Sequence, residues 1–280
     1  MKFSCFLLAA LLSAEVQSQM VSGRVLDQQS GRPLAYVHVG VLGRNIGTIS
    51  RENGEFILDI SGIPQSEKIT FSMVGYTTVS VNISNIPTSE LIISLIPSVT
   101  QLDEIIIRDE PLIELVKLGL PEATKTTIGH SGNHEWGTGS EWGLRIPTGA
   151  GLFKLHEIGF HTRFNTVDSV LFRINIYSGT DSLPGETLLR QDIYVKSYKR
   201  DKWIIRKIED EEIVTNEDII VTIEILRIWY GKVGDNQLFF TYGKGNQNLP
   251  SYSRQSSQDK WRINEMPQLA LYVLVRKLGL

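Results

Sequence analysis

The sequence predicts an all-β protein built as two sandwiches. Three observations carry that expectation. Apolar and polar residues alternate over short runs through residues 20–108 and again in the second half, which is the period of a half-buried strand. Gly, Pro and Asn punctuate these runs at short intervals. Only Pro111 to Pro121 has helical spacing, with Leu112, Leu115, Val116 and Leu118 on one face and Gly119 to end it. A chain of 280 residues is long enough for two domains of ordinary size.

The first eighteen residues read as a secretory signal peptide: Lys2, then the apolar run Phe6 to Leu12, then Val16 and Ser18 before a cleavage point. The mature chain is expected to start near Gln19 and to be exported. The single cysteine, Cys5, falls inside this leader, ahead of its apolar run. The mature chain would then hold no disulfide, thiolate metal site or cysteine nucleophile. That suits a bacterial envelope: the periplasm, the outer membrane or the cell surface. No apolar run after residue 20 approaches the length of a membrane-spanning helix. Twenty-eight Lys and Arg nearly balance 31 Asp and Glu, so no basic excess points to nucleic acid.

The first domain is expected over residues 19–108. Val21, Gly23, Val25 and Asp27 alternate, the turn Gly31-Arg32-Pro33-Leu34 follows, and Val37, Val39 and Val41 mark a second strand. Then come Gly47-Thr48, the turn Asn53-Gly54, Phe56, Leu58, Ile69, Phe71, Met73 and Gly75-Tyr76. Asn-Gly suits a two-residue hairpin turn, which needs positive φ at both central residues. Val25, Val39, Phe56, Phe71 and Tyr76 are the expected core. The alternation runs on through Val79, Val81 and Ile83 to a strand at Leu91 to Ile96.

The order Val-x-Gly-x-Val-x-Asp, Gly-x-Pro-Leu, Gly-Thr, Asn-Gly-x-Phe and Val-Gly-Tyr resembles the carboxypeptidase regulatory-like domain, over about a third of the chain. The resemblance implies a seven-stranded, transthyretin-like Greek-key sandwich. Such modules stand at the front of TonB-dependent receptors and other surface proteins of Bacteroidetes-type bacteria. In those receptors a segment like Leu102-Asp103-Glu104-Ile105-Ile106-Ile107 leads on to a plug; here no plug or barrel follows.

Residues 109–130 are expected to be a linker with a short helix, and residues 131–280 a larger, jelly-roll-like sandwich. Ile158, Phe160, Thr162 and Phe164 alternate, as do Val170, Phe172, Ile174 and Ile176. Ile193 to Val195, Trp203 to Ile208, Gln237 to Tyr242 and Leu269 to Val275 are further strands. Ile219 to Trp229 is apolar on both faces, as a central strand would be. Phe172 to Tyr177 followed by Leu183-Pro184-Gly185-Glu186 looks like a pattern of secreted bacterial jelly-roll accessory domains.

The chemistry is legible mainly by elimination. A metallocarboxypeptidase needs zinc on two histidines and a glutamate. No His here has Glu three residues on, and His134-Glu135 and His156-Glu157 supply only half of a His-Glu-x-x-His. No Gly-x-Ser-x-Gly elbow or phosphate loop is present. His130, His134 and Glu135 share a Gly-rich loop without a third fixed ligand, so no metal or cofactor is expected. All five tryptophans fall after His130. Trp136 and Trp142, in a polar Gly-rich stretch, with Tyr177, are the candidate ligand platform for a glycan. Lys196, Lys199, Arg200, Lys202, Arg206 and Lys207 beside Glu209 to Glu212 read as a solvated hairpin face, or as a dock for an acidic surface.

These observations favour a non-catalytic envelope or surface protein, with a regulatory-like docking module and a sandwich that binds a glycan or an envelope protein. One alternative is a polysaccharide hydrolase or lyase recruiting Glu141, Glu157, His156 and Tyr177. A second is an accessory of TonB-dependent uptake.

Overall fold

The computed structural model describes residues 19–87, 89–98, 115–131, 137–179, 182–231, 236–245, 249–263 and 268–278. The expected leader, the Leu102 to Ile107 segment and Trp136 lie outside the described residues.

The first domain has β1 (Met20–Asp27), β2 (His38–Val41), β3 (Gly47–Ile49), β4 (Glu55–Asp59), β5 (Lys68–Ser72), β6 (Val79–Asn82) and β7 (Leu91–Leu95). They form two sheets, β4-β1-β7 and β3-β2-β5-β6. Among these seven strands β1 and β7 pair in parallel and the other pairings are antiparallel. The period-2 pattern does what it predicts: Val25, Val39, Phe56 and Phe71 are buried between the sheets, with Tyr76 packed against them. Tyr76 turns its hydroxyl outward to donate to Asp27 Oδ2 at 3.0 Å. The Phe56 and Phe71 rings meet edge to face, 5.3 Å apart.

The second domain holds β8 (Leu115–Gly119), β9 (Ala123–Ser131), β10 (Glu141–Ile146), β11 (Leu152–Arg163), β12 (Ser169–Ser178), β13 (Ile193–Tyr198) and β14 (Trp203–Lys207). It continues with β15 (Val214–Thr215), β16 (Ile219–Trp229), β17 (Gln237–Gly243), β18 (Ser251–Arg254), β19 (Arg262–Ile263) and β20 (Leu271–Leu278). The chain alternates between two sheets in jelly-roll fashion. One sheet runs β9-β17-β11-β14, and the other runs β10-β16-β12-β13. Strands β20 and β8 extend the first sheet beside β11, and β18 and β19 extend the second beside β10. Between the sheets lies a continuous apolar core that includes Leu144, Phe160, Phe172, Ile174, Ile223, Phe240 and Val273.

Four expectations are corrected. Leu115 to Gly119 is strand, not helix, and residues 115–131 belong to the second sandwich instead of a linker. A helix of two or three turns is marginal by itself; here the edge of β20 offers a five-residue antiparallel register from Gly119 to Leu115. Asn53-Gly54 does not close a hairpin, because β3 and β4 lie in different sheets. Gly54 is left-handed (φ 78°), but Asn53 is not among the residues with positive φ. A Cβ on Gly54 would stand 2.6 Å from the Val25 carbonyl, so the glycine serves a sheet-to-sheet crossing. Phe164 leaves the alternation set by Ile158, Phe160 and Thr162: its backbone turns left-handed (φ 57°) and its ring faces solvent. Lys196 to Lys207 is not one hairpin face, because β13 and β14 stand in opposite sheets.

Candidate functional site

The outer face of the second sheet carries a row of ionisable residues in direct register. Tyr194 on β13 faces Arg173 on β12, which faces Glu224 on β16; Glu224 faces Glu141 on β10, which faces Arg254 on β18. Tyr194, Arg173, Glu224 and Glu141 each adjoin a residue of the apolar core, so the pleat that buries Phe172 and Ile174 turns Arg173 to the outside. Yet Arg173 is only 1% exposed and Glu224 and Glu141 are 0% exposed, because the first domain and neighbouring loops cover this face.

Arg173 is the hub. Its Nε donates to Glu224 Oε2 at 3.0 Å, Nη1 to Asp192 Oδ1 at 3.1 Å, and Nη2 to the Tyr36 carbonyl of the first domain at 2.8 Å. His38 of β2 reaches across the domains, its Nε2 lying 2.9 and 3.0 Å from the two Glu224 oxygens. Glu141 accepts from Arg254 Nε at 2.7 Å, Asn175 Nδ2 at 2.9 Å, Tyr177 Oη at 3.0 Å and the Thr222 hydroxyl. Burial works against ionising Glu224, but Arg173 first, then His38 and Arg254, pull its pKa down to about 2. Burial and then the Glu141 charge push the Tyr177 phenol well above its ordinary value. Arg173 and Glu224 are therefore held as a buried ion pair, and each member of the row has a hydrogen-bond partner among its neighbours.

The close approach of the domains is also cut into the backbone. A Cβ on Gly47 of β3 would stand 1.9 Å from the Ser257 carbonyl. Gln258 Nε2 donates to Ser72 Oγ at 2.7 Å across the same contact. Tyr36, Ile49 and Leu226 add a small apolar cluster. A groove of about 1080 Å³ runs beside it, lined by Tyr36, Glu52, Ile57, Arg227 and Tyr230 among others. Arg227 Nη1 bridges to Glu52 Oε1 there at 2.9 Å.

A second concavity of about 640 Å³ opens at the far end of β11, where His161, Arg163, Phe164, Arg200 and Lys202 meet Lys125 of β9. His161 lies edge-on to Trp203 (5.1 Å), and Trp203 packs on Tyr272 (5.4 Å).

The candidate ligand platform is not assembled as expected. Trp142 is half-buried on β10, its ring 5.7 Å from Phe240 and packed on the apolar core. Tyr177 donates its hydroxyl to Glu141 and stands edge-on to Trp261 at 5.9 Å. The residues of the hydrolase alternative are divided. Glu141 and Tyr177 belong to one sheet, whereas His156 and Glu157 sit at a bulge of β11 in the other. There Glu157 accepts from Tyr272 Oη at 2.7 Å. Among the described residues no group of three His, Cys, Asp or Glu is placed to hold a metal. Sequence reading missed His38, Arg173, Asp192, Glu224 and Arg254. The available signal was a charge inside an otherwise apolar strand: Glu224 within Ile219 to Leu226, and Arg173 within Val170 to Ile176.

No curated protein matches the chain. Among solved structures, that of infectious bursal disease virus, Gx strain, is similar over 94% of this chain and 75% of that one, with 11% identity and a TM-score of 0.26. At that score the likeness bears on neither fold nor function. The model of the CarboxypepD_reg-like domain family matches residues 21–107, a range that takes in β2 to β7 and all but the first residue of β1. The first sandwich of this chain is a CarboxypepD_reg-like domain.

Proposed function

We propose that this is an exported, non-catalytic protein of the cell envelope, in which the CarboxypepD_reg-like domain is a docking module and the second sandwich binds a glycan or an envelope protein. The observation that supports this reading is the row from Tyr194 to Arg254. It commits Glu141 and Tyr177, which the hydrolase alternative would recruit, to a buried hydrogen-bond network with Arg254, Asn175 and Thr222, in a row that Arg173 and Glu224 tie to the first domain. A rigid pair of domains presents its outer faces in a constant relation, which suits a protein that bridges two partners.

The test is a glycan array and a pull-down from envelope extract with the full chain, alongside polysaccharide and peptide turnover assays. Saturable binding without turnover is expected. Turnover that survives repurification, or the absence of any bound glycan or envelope protein, overturns the reading.

A further inference from the structure

We propose that the concavity at the end of β11 holds an acidic sugar residue, with its carboxylate on Arg163, Arg200 and Lys202 and its ring against Phe164 and the His161 edge. This rests on the binding reading above and names the ligand class and the site.

The charge argument comes first. Lys125, Arg163, Arg200 and Lys202 line the space, and none has a carboxylate partner among the described residues. The one acid on its wall, Asp201, is occupied by its own turn, accepting from Tyr198 N at 2.7 Å and Ser197 Oγ at 3.4 Å. Cations gathered without a counter-ion attract an anion from solution, and guanidinium forks fit a carboxylate.

The aromatic argument is independent. Phe164 is 53% exposed. Its ring meets Phe239 edge-on at 6.3 Å, with the Arg163 guanidinium 4.9 Å from its centroid. From the other side, Tyr272, Trp203 and His161 form a ladder across the outer face of the sheet that ends at the concavity. A neutral sugar would use the rings and leave the cations unpaired, and an acidic peptide would use the cations and leave the rings bare. An acidic sugar uses both.

The backbone adds a third observation. Phe164 (φ 57°) and Arg200 (φ 73°) are both left-handed, a conformation that side-chain-bearing residues avoid, and both line this one space. Glycine would suit either position better, so each side chain is held against a backbone cost.

The experiment is titration calorimetry of the full chain with trigalacturonate, trimannuronate and a hyaluronan oligosaccharide. Methyl-esterified trigalacturonate and a hexaglutamate peptide are the controls. At least one acidic trisaccharide should bind, with the ester and the peptide about tenfold weaker. Phe164→Gly should weaken binding about tenfold while leaving the thermal midpoint equal or higher, because it removes the ring and relieves the backbone. Arg163→Met should weaken it similarly. If hexaglutamate binds as tightly as the sugar, or if Phe164→Gly binds unchanged, the site is wrong. If no acidic glycan binds while the array or pull-down finds another partner, this assignment falls and the binding reading stands. If nothing binds in either experiment, both fall.

Discussion

Replacing Arg173 by Met tests whether the buried charge row holds the two domains together. Met keeps the apolar stem and removes the guanidinium. Three donors are lost, two of them to carboxylates and one to the Tyr36 carbonyl. Hydrogen bonds to charged groups contribute about 1.5–3 kcal/mol each, and all three involve the guanidinium, an upper sum of about 4.5–9 kcal/mol. Part is recovered, because Glu224 keeps His38 and Asp192 keeps the Tyr194 hydroxyl at 2.8 Å. The expected loss is then about 3–5 kcal/mol, as for removing one partner of a buried ion pair. All five tryptophans lie after residue 130, so their fluorescence reports the second sandwich while far-ultraviolet dichroism reports both. In urea the two signals should coincide in the wild type and separate in Arg173→Met. Adding Glu224→Gln to Arg173→Met should cost less than the sum of the single changes, by about 1–3 kcal/mol. A loss under about 1 kcal/mol, or additive effects, would refute the argument that this row contributes to the coupling between domains.

Three further outcomes follow from the same geometry. Glu224, held at about 2 against an ordinary 4.5, contributes stability that is complete above 4.5 and lost as pH falls toward 2; an acid titration in which Glu224→Gln lost as much stability as the wild type would contradict this. Phe71→Ala should cost about 3–5 kcal/mol, since its ring is fully buried against Phe56, and an unchanged urea midpoint would place it elsewhere. Burial, then Lys202 and Arg163, hold His161 below its ordinary 6.5, so the neutral ring favours the fold above 6.5 and that contribution is lost on acidification. Its NMR titration should therefore fall below 6.5 and move up in Lys202→Met, and a wild-type midpoint at or above 6.5 would contradict this.

Local alternation was enough to read both sandwiches, because a strand with one buried face must write that face into every second residue. Val25, Val39, Phe56 and Phe71 show this, as do Phe172, Ile174 and Ile176, all buried as the pattern requires. The run Ile219 to Trp229 likewise announced a strand enclosed on both sides, and β16 lies between β12 and β10. Where a choice depended on a distant partner, the local signal misled. Leu115 to Gly119 has helical spacing but took the free edge of β20, more than 150 residues away in the chain. Trp142 sits among polar residues and glycines in sequence, yet its ring faces Phe240. The charge row had no sequence motif at all. His38, Asp192, Glu141, Arg173, Glu224 and Arg254 are scattered over more than 200 residues, and only strand register and the docking of one sandwich on the other bring them within hydrogen-bond distance. The concavity at the end of β11 is the same case. Its cations come from three separate segments, and a left-handed turn of the backbone at Phe164 brings the ring out beside them. Periodicity is a property of neighbours in sequence, so it specified the strands; pairing and docking are properties of neighbours in space, so the tertiary structure alone decided which charges meet.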